Sequence, residues 1–109
     1  MAAIWRIRDR LGREVVLTEM RWQHMRYRHQ DMAQRLADVR AVIENPDVVT
    51  VDADFGHRQN SYRRFGTSRL FVKVVVHYRP VPPQGMRVGE VITAYTTQRI
   101  AAKENALWP

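Results

Sequence analysis

Cysteine is absent from this 109-residue chain, which excludes disulfides, thiolate metal sites and cysteine nucleophiles. No apolar run approaches the ~20 residues needed to span a bilayer. The opening Met1-Ala-Ala-Ile-Trp-Arg-Ile-Arg also interrupts any signal-like stretch with charge. A cytoplasmic protein with no membrane partner is expected. The four histidines lack the spacings of a dedicated zinc site, and no Gly-rich phosphate loop, Gly-x-Ser-x-Gly elbow or carboxylate pair is visible. Asp52 and Asp54 read as turn residues rather than magnesium ligands. No metal or cofactor is expected.

Lysine is scarce as well, and here the scarcity is informative. Sixteen of the eighteen basic residues are Arg, against eleven acidic residues, for a net charge of +7. That balance favours a polyanionic partner, and guanidinium clamps phosphate through two parallel hydrogen bonds. RNA is the first partner to consider.

No repeat, low-complexity tract or composition break divides the chain, so residues 1–109 are read as one domain. Ile4 and Ile7, then Val15 to Leu17, suggest two short strands around a turn at Asp9–Gly12. Thr18 is a natural N-cap for a helix over Glu19–Arg28. A second helix is expected from Asp31, with Met32, Leu36, Val39 and Ile43 as its apolar stripe and Asn45-Pro46 as its stop. Strands should follow at Val48–Val51, Tyr62–Phe65, Leu70–Tyr78 and Val88–Thr96, with a proline-rich loop over Pro80–Gly85. Alternation puts Leu70, Val72, Val74, Val76 and Tyr78 on one face, and Phe71, Lys73, Val75 and His77 on the other. In the last strand it groups Val91, Thr93 and Tyr95 against Ile92 and Ala94. The expected fold class is α+β, with N-terminal helices packed on one face of an antiparallel sheet of about four strands.

Metal-independent RNA cleavage needs a base for the 2′-OH, an acid for the departing 5′-oxygen, and donors around the phosphate. His24 and Arg28, at i and i+4, share a helix face. His29 lies about 140° from His24, so both enter one pocket only if the helix ends there. Arg58, Arg63 and Arg64 interleave with Tyr62, a pattern suited to single-stranded RNA, although a charged edge strand produces it too. Thr93 and Tyr95 project together and offer hydroxyl donors, while both are also good strand formers. Lys73 and His77 are further candidates on the mixed face of the central strand. The lysine stem can equally carry its charge out to solvent.

Leu17-Thr-Glu-Met-Arg-Trp-Gln-His24, Arg28-His29-Gln-Asp-Met32, Asn45-Pro-Asp47, Ser61-Tyr-Arg63, the Val-rich strand, Val91-Ile-Thr-Ala-Tyr95 and Leu107-Trp108 occur in that order. Together they resemble the phage-associated nuclease domains of the barnase–EndoU–colicin–RelE-like superfamily. The chain departs from that pattern at Gln30, where proline is usual, at Ser61 for tyrosine, and at Ala101 for lysine. The resemblance implies an α+β nuclease domain and a metal-independent endoribonuclease, toxin-like or phage-derived, with an acidic antitoxin or immunity protein as a further partner. Carried onto this chain, it implies catalytic roles for His24, Arg28, Arg63, Thr93 and Tyr95. Substrate binding would fall to His29 and Tyr62, with Arg58 and Arg64 added from the arginine–tyrosine pattern and Lys73 from the mixed strand face. The rival expectations are an inactive nucleic-acid-binding module, or a toxin-like protein held by an acidic partner.

Overall fold

The computed structural model describes residues 2–52, 54–81 and 86–108, the side chain of Met86 excepted. It overturns the expected fold class. Strands take 48% of the structure and helices 22%, so the sheet rather than a helical layer organises the chain. The strands are β1 (Ala3–Arg8), β2 (Glu14–Thr18), β3 (Val48–Val51), β4 (Arg58–Arg64), β5 (Phe71–Val81), β6 (Met86–Thr97) and β7 (Asn105–Trp108). All seven belong to one mixed sheet, ordered β1-β2-β6-β5-β4-β3-β7. Two features enlarge it beyond four antiparallel strands. The N-terminal hairpin joins through a parallel β2–β6 pairing at Glu14–Val88, Val15–Gly89 and Val16–Glu90. The C-terminal β7 pairs with β3 at the far edge.

The sheet is strongly coiled. Six strand spacings of ~4.8 Å would separate β1 from β7 by about 29 Å if it were flat. Instead Arg10, in the β1–β2 turn, lies over the Trp108 ring at 4.9 Å, and Arg13 donates to Gln59 of β4 at 2.9 Å. Gly89 leaves room for two side chains of β5, because a Cβ there would meet Val76 Cγ1 at 2.6 Å and Tyr78 Cε1 at 2.8 Å. The tight turn between β1 and β2 uses Gly12 at φ 81°.

The helices are α1 (Glu19–Arg28) and α2 (Leu36–Glu44), separated by a 3₁₀ turn over Gln30–Met32. The first matches its expected span, capped by Thr18 Oγ1 accepting from the Arg21 N–H at 3.2 Å. The second begins five residues later than expected, because Asp31 turns toward β6 instead of capping a helix. One core lies under both helices. Trp22 and Met25 of α1, with Val39, Val42 and Ile43 of α2, bury against Val72, Val74, Val76 and Tyr78 of β5. Alternation therefore oriented β5 correctly, except that Leu70 lies before the strand and is exposed.

In β6 a bulge opposite Val75/Val76 shifts the register. Val91 pairs with Val76 and Ala94 with Val74, so both join the core. Thr93 and Tyr95 pair with Val75 and Lys73 on the opposite face. The expected grouping of Val91 with those two residues is corrected by this one extra residue. Strand β4 also starts earlier than expected, at Arg58. Pro80 is part of β5, where β4 no longer flanks it and a proline is tolerated. The rest of the expected proline loop, 82–85, lies outside the described residues. No described helix is long and apolar enough to cross a membrane.

Candidate active site

Strand β2 leaves β6 after the Val16–Glu90 pair, and α1 begins three residues later at Glu19. Beyond that point the flank of β6 is covered by helix rather than by strand. The 3₁₀ turn fastens this arrangement: Thr96 donates from both its N–H (3.2 Å) and its hydroxyl (2.6 Å) to Asp31 Oδ2. Burial favours the neutral acid at Asp31. Those two bonds and the nearby His29 outweigh it and hold the carboxyl below its ordinary value.

With Trp22 and Met25 turned into the core, Arg21, His24 and Arg28 line the flank of α1 beside Ile92 and Thr93. The helix ends at Arg28, and His29 leaves helical geometry (φ −132°, ψ 84°) while its N–H still donates to Met25 O at 2.7 Å. That exit meets the condition for two histidines to share a pocket. His24 and His29 both line an open cleft of about 270 Å³ with Arg21, Arg28, Ile92 and Thr93. His29 also packs against Tyr95, with ring centroids 5.2 Å apart. Arg21 is held by Glu90 at 3.1 Å. Among the described residues, Arg28 pairs with no carboxylate, and neither imidazole has a side-chain hydrogen bond.

Tyr95 separates this cleft from a second cluster of very different character. Register places Tyr62, Lys73 and Tyr95 in one row across β4, β5 and β6. Lys73 is buried and donates to Glu104 Oε2 at 2.6 Å. The other carboxylate oxygen accepts from Tyr62 at 2.5 Å and from Thr50, which in turn accepts from Asn60 at 3.3 Å. Lys73 Nζ lies 5.3 Å from the Tyr62 ring and 5.5 Å from that of Tyr95. Burial alone would lower the lysine pKa, but Glu104 and Tyr62 overcome it and raise the value above the ordinary one. Burial likewise works against the Glu104 carboxylate, which Lys73, Thr50 and Tyr62 nevertheless hold below its usual range. Burial and the Glu104 hydrogen bond push the Tyr62 phenol up to about 12.

These contacts change the expected roles of two residues. Tyr62 is 0% exposed and packs edge-on against Phe71 at 5.7 Å, so it offers no face to a base. Lys73 has its charge neutralised by Glu104 and is not free for a phosphate. Arg63 pairs with Val72, which puts it on the helix-bearing face. There it donates to Asn45 O at 3.1 Å, at the C-cap of α2, and it does not line the histidine cleft. Arg58 lies over Phe55 at 4.4 Å and pairs across the sheet with His77, away from the cleft. Arg64 stacks on Phe71 at 4.2 Å beside a separate hollow. Asp52 accepts from the N–H groups of Asp54 and Phe55, as expected of a turn residue.

Sequence reasoning missed Glu104, Thr50 and Asn60. The one signal was Lys73 itself, since a lysine inside an apolar strand demands a carboxylate partner. Nothing in the spacing said which acid would supply it. Among the described residues, no three His, Asp or Glu side chains gather as a metal site. No family model, curated protein or solved structure matches the chain.

Proposed function

We propose that this protein is an endoribonuclease acting by 2′-OH transesterification at the histidine cleft. The observation that carries the reading is that two imidazoles and a guanidinium with no carboxylate partner among the described residues line one open hollow beside the hydroxyl of Thr93. One imidazole of the His24/His29 pair takes the 2′-OH proton. The freed oxygen attacks phosphorus and closes a 2′,3′-cyclic phosphate. The 5′-oxygen departs with a proton from the other imidazole. Arg28 meets the charge that gathers on the phosphate oxygens, with Thr93 as a neutral donor. Tyr95, half-exposed against His29, offers an aromatic face to a base. The excess of arginine and the resemblance to phage-associated nuclease domains support the same reading. That resemblance also makes an acidic, antitoxin-like protein the natural regulator of such an activity.

Incubation of the purified protein with total RNA in EDTA tests the proposal. The expected products carry 2′,3′-cyclic phosphate and 5′-hydroxyl ends, and intact RNA sinks the reading. One observation favours a second reading, a nucleic-acid-binding module without turnover. Tyr62, Lys73 and Arg63 are all committed to internal contacts instead of to a substrate. It predicts salt-sensitive RNA binding with no scission in the same experiment.

A further inference from the structure

The hollow beside Arg64, about 800 Å³, is lined by Arg64, Thr67, Ser68, Arg69, Leu70 and Gln98, and no step of the proposed chemistry uses it. Its walls are fixed by the turn between β4 and β5. Gly66 takes φ 59°, Ser68 N–H donates to Phe65 O at 3.2 Å, and Leu70 N–H donates to Ser68 Oγ at 3.1 Å. The Arg64 guanidinium is stacked on Phe71, and its backbone N–H is held by Asp47 at 2.9 Å. Stacking on an apolar ring orders the planar fork while leaving its N–H edges open to a ligand. Among the described residues, neither Arg64 nor Arg69 pairs with a carboxylate, although most acids on this molecule have found an arginine or lysine. Two free guanidiniums with hydroxyl and amide donors make a hollow suited to phosphate oxygens.

Its position relative to the histidine cleft gives it a meaning. Arg64, Phe71 and Thr97 form one row on the sheet face that carries Thr93 and Tyr95, immediately beyond the Tyr62–Lys73–Tyr95 row. Thr93 lines one hollow, Gln98 lines the other, and the half-exposed Tyr95 and Thr97 lie between them. At ~3.4 Å per residue, the step from Thr93 to Gln98, just past the end of β6, is about 17 Å, a span of a few nucleotides.

We infer that the Arg64–Arg69 hollow is a second phosphate subsite, holding the backbone of the same RNA strand a few nucleotides from the bond to be cut. The inference rests on the endoribonuclease reading and deepens it. The substrate is single-stranded RNA long enough to reach from the histidines across Tyr95 to Arg64 and Arg69.

The test compares an Arg64→Gln/Arg69→Gln double variant with the unaltered protein. Binding is measured with a 2′-O-methyl oligoribonucleotide that spans both hollows and cannot be cleaved. The expected result is a Kd raised about tenfold at low salt, and a log Kd–log salt slope shallower by about 0.7 for each phosphate no longer neutralised. Cleavage of a dinucleotide, too short to reach the second hollow, should keep its kcat/KM. Arg40→Gln on α2, which breaks a pair with Glu44 at 3.3 Å, controls for the loss of one positive charge and should leave the slope unchanged. An unaltered Kd and slope in the double variant overturn the inference, as does an equal loss with the dinucleotide or no binding by the unaltered protein. A protein that binds the long probe through Arg64 and Arg69 but leaves ordinary RNA intact fails the catalytic reading alone. Arg69→Gln by itself, in an exposed turn, keeps the inference falsifiable if the double variant folds poorly.

Discussion

Two charged regions meet at Tyr95 and could hardly be more different. On one side, Lys73, Glu104, Tyr62 and Thr50 form a network in which each charge has its counter-charge and the carboxylate oxygens are filled. On the other, Arg28, His24 and His29 line an open hollow with no acid paired to them among the described residues. Folding explains the first region completely, since a buried ammonium without its carboxylate would be strongly destabilising. It does not explain the second, where solvated charge adds little to stability. The contrast separates side chains that hold the protein together from side chains left to meet something else. Each substitution below should therefore harm either stability or activity, and seldom both.

The largest effect belongs to the open side. His24→Ala and His29→Ala should each lower RNA cleavage about 10²–10⁴-fold, the usual contribution of one acid or base. Thermal stability should change little, because His24 is exposed and neither ring is hydrogen-bonded among the described residues. Cleavage rates and melting curves on the same preparations check both halves. Full activity in both variants would remove the site; a loss of fold in either would mean that the two regions are not distinct.

The partnered side should respond in the opposite manner. Glu104→Ala strands the ammonium of Lys73 and should cost about 3–5 kcal/mol. A Lys73→Met/Glu104→Gln pair should recover most of that loss, because it removes the buried charge and keeps an acceptor for Tyr62 and Thr50. The pH dependence carries a matching signature. The Glu104 carboxyl is depressed below its ordinary 4.5, so its contribution is complete above that pH and is lost as pH falls through the lower folded value. Lys73 and Tyr62 are both raised. Their contributions are therefore complete below about 10 and decay as pH climbs, for Tyr62 through about 12. Denaturation midpoints against pH should thus fall on both flanks, and Glu104→Gln should remove this group's share of the acid limb. An acid limb unchanged by that substitution would contradict the network.

What the sequence disclosed about these regions follows from how local each feature is. Helix α1 was legible because its capping residue, Thr18, immediately precedes its first turn. The core face of β5 was legible because alternation needs no knowledge of partners. The seven-stranded sheet was not, since the parallel β2–β6 pairing and the β3–β7 edge join segments far apart in the chain, and the short β7 carries no distinctive pattern. The bulge in β6 is a property of pairing, and it alone reversed the expected company of Thr93 and Tyr95. The convergence of His24 and His29 could be stated only as a condition on where the helix ends, and the C-cap supplied the answer. Arg63 shows the reverse: an arginine next to a tyrosine looks like a binding residue until the end of α2 claims it.

The smallest expected effect lies where the two regions are fastened to each other. Asp31 fixes the 3₁₀ turn to the edge of β6 through Thr96, two residues after His29 and one residue along from Tyr95. The bonds are exposed, so water replaces much of what Asp31→Ala removes. The cost should be about 1 kcal/mol, a shift of roughly 4–8 °C in Tm. Loosening this tie frees the backbone that carries His29 out of the helix, so exchange of the Thr96 amide should quicken and kcat should fall with little change in KM. Because the imidazole is retained, the fall should be smaller than in His29→Ala. A loss in Asp31→Ala equal to that in His29→Ala would place the carboxylate in the chemistry itself. An unchanged kcat with faster exchange would show that the histidine keeps its place without the tie.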